Sequence, residues 1–476
     1  MVDDRRNVIR MSHALRAGCS DLGALRAAAR RARGRVGGGL AQIELDPGPG
    51  GRQLLERLEL EYRALLASLV KEDRRIERAI GVELSRDVRF SPSREVGAAA
   101  TLIGDGIRIE LQFGTFLAID DALLTACAAP GFGVTAVPEA GATPHYAIAT
   151  VGPETSERYF DYRPTQALAT DQLGPSLTNV MPLDVARLAH VDLLIGMALQ
   201  WVLLHEHAHD LLGHLGWRDA RLGLAGRKID ESACTAEGQD DESFCLELQA
   251  DALATHLLIP HIMTRTGRNN RRVADYLRAM RARSNPSSGQ AVNFSSPRER
   301  FRLALLAAGI APLIFELRRE RRPGTNGTHP PPAVRLLNIF LSALDAWGNT
   351  IDGRMILPTK SDRFDIDRLR PALSAAVQTF VDLELLARVI RLQSPLYLSE
   401  ALDVESAPRA DPEPLSPLAR DFLELAFEGA RRARFRTPAA RSYRKLRTKA
   451  ASYHAKLGPY ARILLVPYSA AAAAGV

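Results

Sequence analysis

The sequence predicts an α+β protein that is predominantly helical, in which two helices bearing clustered histidine and acidic side chains pack against a small sheet, with helical extensions at both ends. Three observations predict it. Apolar residues recur at helical spacing over long segments, while period-two alternation is confined to the stretch from about residue 83 to about 152. At 476 residues and 46% hydrophobic content the chain can also bury a sizeable core. The implied divisions are an N-terminal helical arm (1–82), a core (83–346) and a C-terminal helical region with a basic tail (347–476).

The N-terminal arm reads as helix over "LGALRAAARRARGRV", a break at "GGG" and "DPGPGG", and a longer helix over "RQLLERLELEYRALLASLVKEDRRIERAI". Turn signals at "GDG" (104–106), alternation in "IRIELQF" (107–113) and the apolar "GTFLAI" then predict a small sheet. "VTAVPEAGATPHYAIATVG" adds a hairpin. A long helix begins near Leu183 and ends at Gly213, with "HLGW" as an exposed turn and a polar connection over 218–242. "FCLELQADALATHLLIP" reads as a helix stopped by Pro260. Ser296, Pro297 and Glu299 start another helix that runs to Pro323, and the chain beyond residue 351 is mainly helical around an irregular "ESAPRADPEPLSP".

Several classes are excluded at this stage. Asp192 and Gln200 interrupt the apolar run before the long helix ends, and Arg302 and Glu316 bracket the next, so neither reaches the roughly 18 residues of a membrane span. The first residues lack the apolar centre of a secretory signal, and the expectation is a cytoplasmic protein without membrane contact. Four irregularly spaced cysteines are too few for a disulfide framework and read as free thiols. Cys234 and Cys245 fall between the histidine cluster and the later acidic helix, which leaves a metal role open for either.

"WVLLHEHAHDLLGHLGW", Trp201 to Trp217, carries His205, His207, His209 and His214. At about 100° per residue His205 and His209 share a helix face, His207 lies roughly 200° from His205, and His214 follows the Gly213 stop and reads as a helix-end or surface residue. His205-Glu206-His207-Ala208-His209 fits H-E-x-x-H. There two histidines one turn apart bind zinc, and the glutamate acts as general base. Zinc lowers the pKa of water towards about 7, and a neighbouring carboxylate can take the proton and pass it to the leaving amine. A third ligand is then required. Position 215 is Leu215 where one class of zinc peptidase places a histidine. The acidic route is present in "ELQAD": Glu247 and Asp251 stand four apart on one face, Glu247 to ligate and Asp251 to hold the outer nitrogen of a ligating histidine. In isolation the same segment reads as an amphipathic helix with solvated acids.

The pairing of "HEHAH" with "ELQAD" resembles the gluzincin metallopeptidases, most closely the soluble phage-exclusion Lit peptidases and more loosely the ImmA/IrrE regulators and the HtpX/CAAX-protease group. The resemblance covers about residues 105–345 and implies a zincin core, a zinc cofactor and a protein or peptide substrate. In the HtpX-like families a T-H-P-x-x-x-x-R element follows the ligand helix. "THPPPAVR" matches it, which implies that His329 contacts the tetrahedral intermediate and gives Arg335 the matching offset. A plain loop histidine beside a proline run is the other reading of His329. The implied activity is hydrolysis of peptide bonds in a specific cytoplasmic protein, in phage exclusion or stress regulation.

Two further readings concern surfaces. A peptidase of this kind holds its substrate as an added strand on a sheet edge, and "IRIELQF" is the candidate edge. From Gly429 onwards there are eleven Arg and Lys residues and no acidic ones, more than the whole net charge of +7. Phe435, Tyr443 and Tyr453 interleave with these charges as stacking platforms would, so the alternative function is a nucleic-acid-binding or scaffold protein with a structural zincin core. The tail then meets nucleic acid or an acidic partner. A solvated basic helix explains the same composition.

Overall fold

The computed structural model describes residues 41–45, 50–93, 96–104, 106–128, 146–151, 177–182, 185–222, 240–263, 296–321, 329–350, 366–392, 417–432 and 437–463. They form β1 (Ala41–Leu45), α1 (Gly50–Ile80), β2 (Asp87–Ser91), β3 (Ala98–Ile103), β4 (Gly106–Gln112), α2 (Phe113–Ala128), β5 (Tyr146–Val151), β6 (Leu177–Pro182), α3 (Val185–Leu211), α4 (His214–Leu222) and α5 (Asp240–Met263). The chain continues as α6 (Pro297–Arg321), α7 (Pro332–Thr350), α8 (Ile366–Leu392), α9 (Pro417–Arg432) and α10 (Pro438–Leu457). The fold is predominantly helical α+β, as the periodicities predict.

Helix α3 is apolar almost all round its circumference, and from His190 to Leu215 nearly every side chain is buried. A helix of that kind belongs in the interior. It packs against α5, α6, α2 and α1, while α5 packs against α7 and α10. One continuous apolar core runs from Leu69 of α1 through Trp201, Leu253 and Phe340 to Tyr443 of α10. Tyr62 of α1 donates to Asp120 of α2 (2.7 Å), and Asp73 of α1 meets the back of α3. The long N-terminal helix is thus a packed part of the core.

Two three-stranded sheets lie beside the helices, in the orders β1-β5-β6 and β2-β4-β3. In the second, β3 and β4 form an antiparallel hairpin turning through Gly104 (φ 56°), and β2 lies parallel to β4 on its other side. β4 is therefore the central strand, so "IRIELQF" cannot serve as the free edge expected of it. The edges are β2 and β3. "GTFLAI" corrects a second expectation, since it opens α2: Thr115 both accepts from Gly97 N–H and donates to Gly97 C=O (2.7 Å each), fixing the helix start against the β3 entry. The chain breaks at "GGG" and "DPGPGG" flank a strand, β1, that the composition hid. β5 pairs with β1 and β6, and the first half of the expected hairpin lies outside the described residues.

Three helix ends also differ from expectation or extend it. Pro260 does not stop α5, which continues to Met263. "HLGW" is the first turn of α4, with His214, Leu215 and Trp217 buried. Gly213 ends α3 as predicted, at φ 76°, with its N–H on Asp210 C=O (2.8 Å). Its smallness matters as well: a Cβ there would lie 2.5 Å from the carbonyl carbon of Tyr460 and 2.6 Å from Ala461 N. The segment after α10 passes over this glycine, where Arg462 and Ile463 both donate N–H to Leu211 C=O (2.8 and 2.9 Å) and cap α3.

The described part of the basic tail, α10 and the segment to Ile463, is therefore built into the fold. Tyr443 is 2% exposed in the core and offers no face to a nucleic-acid base, whereas Tyr453 is half-buried, edge-to-face with Trp217 at 5.9 Å and with Lys456 Nζ 4.9 Å from its ring centroid. Phe435 lies outside the described residues. The expectation of stacking platforms is overturned at Tyr443, while Arg441, Arg444, Lys445 and Lys449 lie on the exposed face of α10.

Gly81 provides a control for Gly213, since it has φ 70° but open space, with nothing within 4 Å of the position a Cβ would take. Gly81→Ala should cost about 1 kcal/mol from the left-handed backbone alone. Gly213→Ala should cost roughly 3 kcal/mol or more, because the collision is with backbone. Denaturant unfolding measures both, and equal losses would show that the C-terminal segment does not seat on Gly213.

Candidate metal centre

α3 and α5 bring His205, His209 and Glu247 together in the buried interior, with one donor atom from each lying within 4.8 Å of the others. His205 Nε2 is 3.2 Å from His209 Nε2 and 3.2 Å from Glu247 Oε2, and His209 Nε2 is 3.4 Å from Glu247 Oε1. Donors about 2 Å from a tetrahedral ion lie roughly 3.3 Å from one another, so all three separations suit a shared cation. Two imidazole lone pairs and a carboxylate facing one point repel without one. The donor set, two nitrogens and an oxygen, is that of a borderline divalent metal.

The outer nitrogens of the two histidines are held differently. His205 Nδ1 lies 3.0 Å from Asp251 Oδ1. Arg335 of α7 grips that carboxylate with both arms of its guanidinium, Nε to Oδ2 at 2.9 Å and Nη2 to Oδ1 at 2.6 Å. Trp201 stacks on the His205 ring, with centroids 5.4 Å apart, and donates to Thr255 (3.1 Å), which donates in turn to Asp251 C=O (2.7 Å). His209 Nδ1 is 2.9 Å from Nδ1 of His214.

That last contact corrects the reading of His214 as a surface residue. It is 1% exposed, because the left-handed turn at Gly213 reverses the chain and starts α4 with the imidazole folded back against His209. Gln249, which no motif singled out, meets its far side, with Oε1 3.0 Å from His214 Nε2. The signal available in the sequence was the glycine itself, which forbids extrapolating the α3 helical phase to residue 214. His207 does face away from the site, with Nε2 3.6 Å from Asp73 of α1.

His329 stands at the rim. Its Nδ1 is 2.8 Å from Glu247 Oε2, its side chain keeps 22% exposure, and its ring stacks on Phe315. Glu206 is buried at 3% exposure on the α3 turn between the histidines. Cys245 is a buried thiol outside the cluster, near Leu446 C=O at 3.5 Å, and Cys234 lies outside the described residues.

Residues 184–345 match the family model of Peptidase U49. The matched segment runs from the start of α3 into α7, so it contains both helices of the cluster and the His329 to Arg335 stretch. It supports peptidase activity. Neither the curated proteins nor the solved structures contain a match to the chain. Among the described residues no helix is long and apolar enough to cross a membrane.

The charges in the site follow from these contacts. Burial alone would push Glu247 up, but His329, His209 and His205 hold it well below the usual carboxylate range. Burial opposes the ionised form of Asp251 too, and Arg335 and His205 keep it ionised. Burial depresses His209 well below its ordinary value, against the pull of Glu247, and takes His214 down to about 3, so both are neutral. Burial also opposes the charged form of His205, yet Asp251 and Glu247 more than reverse it and raise the ring to about 9.

Without metal, then, a proton on His205 fills part of the cation's role. Its folded pKa lies above the ordinary 6.5, so its contribution to stability is complete below about pH 6.5 and lost as pH rises through about 9. Chelator-treated protein should show a falling denaturant midpoint across that window. A flat profile there would rule out the proton on His205.

Proposed function

We propose that the protein is a zinc-dependent endopeptidase of the gluzincin type that hydrolyses peptide bonds in a specific protein substrate. The observation that carries the reading is the set of tetrahedral separations among His205 Nε2, His209 Nε2 and Glu247, inside a segment that matches a peptidase family. His205, His209 and Glu247 would hold zinc and leave a position open, as catalytic sites do. When bound, zinc supplies Lewis acidity and access to a hydroxide nucleophile at neutral pH.

The remaining steps belong to this chain's own residues. Glu206, one position beyond His205 and not needed to complete the ligand set, takes a proton from the attacking water and delivers it to the leaving amine. His329, the partly exposed histidine at the rim, donates a hydrogen bond to the oxyanion that develops on the scissile carbonyl. Asp251, fixed by Arg335, orients His205. Of the two edge strands of the β2-β4-β3 sheet, β3 packs on α3, so it is the edge on which an extended substrate segment pairs, in place of β4. The Lit and ImmA/IrrE resemblance supports a cytoplasmic role in phage exclusion or stress regulation.

The polyanion-binding alternative has no comparable support, because Tyr443, one of the aromatic residues it relies on, is buried in the core.

Glu206→Gln should retain about one zinc per chain and lose at least roughly 100-fold in peptide hydrolysis. Alanine at His205, His209 or Glu247 should abolish or greatly weaken metal binding. Metal analysis and turnover on the same preparations separate the two classes, and proteome-wide mapping of new protein termini in cells expressing wild type or Glu206→Gln identifies the substrate. Wild-type turnover by Glu206→Gln would remove it from the mechanism.

A further inference from the structure

Four polar groups form an unbroken buried line from the C-terminal helix to the candidate ligand His209. Gln249 Nε2 donates to the main-chain carbonyl of Ala450 on α10 (3.0 Å), Gln249 Oε1 lies 3.0 Å from His214 Nε2, and His214 Nδ1 lies 2.9 Å from His209 Nδ1. Gln249 is 0% exposed and His214 is 1% exposed, so no solvent can substitute for a missing partner.

The direction of the hydrogen bonds along this line is forced from its far end. A carbonyl only accepts, so the Gln249 amide must turn its NH2 group to Ala450 and its oxygen to His214. The reverse orientation would set two acceptor oxygens 3.0 Å apart in a dry interior. Facing an oxygen, His214 Nε2 must carry hydrogen. Both ring nitrogens of His214 face uncharged partners in a dry interior, an amide oxygen and an imidazole, so the ring carries one hydrogen and its Nδ1 accepts. His209 Nδ1 is left as the donor. His209 Nε2, the atom that faces His205 and Glu247, is left with its lone pair.

We propose that the Ala450 carbonyl, acting through Gln249 and His214, sets the tautomer of His209, so that the C-terminal helix α10 is a working part of the metal centre. The inference rests on reading His209 as a ligand. His214 and Gln249 are positioning residues that touch neither substrate nor metal. The arrangement differs from that at His205, whose outer nitrogen faces a carboxylate. A neutral relay at His209 orients the second ring without adding another buried charge beside Glu247 and Asp251.

The test uses the full-length chain. In metal-free protein labelled with 15N-histidine, long-range 1H–15N spectra should show His209 with its hydrogen on Nδ1, and an Nε2–H form in the parent overturns the proposal without any mutation. Gln249→Met keeps the side-chain length but removes both polar atoms, and should give mixed His209 tautomers and roughly 10- to 100-fold weaker zinc binding by chelator competition. Gln249→Glu keeps an acceptor for His214 but sets a second acceptor against the Ala450 carbonyl and a charge beside His214, so it should not restore either readout, and full recovery in it would show that Ala450 does not fix the direction of the line. Parent-like tautomer and affinity in Gln249→Met overturn the relay. If the parent binds no zinc, the peptidase reading fails, while the tautomer spectra still decide the relay.

Discussion

The structure depends on one electrostatic constraint: two imidazole lone pairs and a carboxylate converge on a single point deep in the protein. Burying such a group of acceptors is unfavourable unless positive charge enters among them. Around the same point Glu206, Glu247 and Asp251 are all buried, and Arg335 is the guanidinium that meets Asp251. A divalent cation at this point would supply that positive charge. Much of the surrounding architecture can be understood as holding α3 and α5 at the separation that creates this point, against the repulsion that would push them apart.

That holding is done from three sides. α7 fixes α5 through the Arg335 fork on Asp251 and through Asn338, which donates to Leu248 C=O at 2.7 Å. α1 meets the back of α3 at His207 and Asp73, where burial raises the Asp73 pKa. The C-terminal segment closes the end of α3, with the Leu211 carbonyl taking two main-chain donors and Arg462 reaching both Asp210 and Glu83 C=O. Each contact joins residues far apart in sequence, so the site is assembled only when most of the chain has folded.

This separation explains what could be read from the sequence. Within one helix, angular position follows from residue number, so the shared face of His205 and His209, the opposite placement of His207 and the shared face of Glu247 and Asp251 were all legible. The end of α3 was legible from Gly213. What the glycine did next was not: whether the chain leaves or folds back is decided by the distant segment at Tyr460 and Ala461, which leaves room for no side chain at 213. The central position of β4 was hidden for a similar reason, since alternation marks a strand but does not say how many neighbours it has. α2 was misread because "GTFLAI" is too short and too apolar to show a period, and its contacts with Gly97 fixed its conformation.

Composition was a poorer guide in the tail than geometry. Eleven basic residues without an acidic one suggest a separate polyanion-binding element, but α10 has two faces with different duties. Arg441, Arg444, Lys445 and Lys449 occupy one, while Ala440, Tyr443, Leu446 and Ala450 occupy the other and belong to the common core. The charge lets one face of the helix remain in water while the other lies against α5, which carries Glu247 and Gln249. A helix placed there by apolar contacts also presents its backbone to α5, and a main-chain carbonyl is a hydrogen-bond acceptor that no substitution at its own residue removes. Using Ala450 C=O in this way makes the orientation of His209 depend on where α10 sits and not on which side chain it carries at 450.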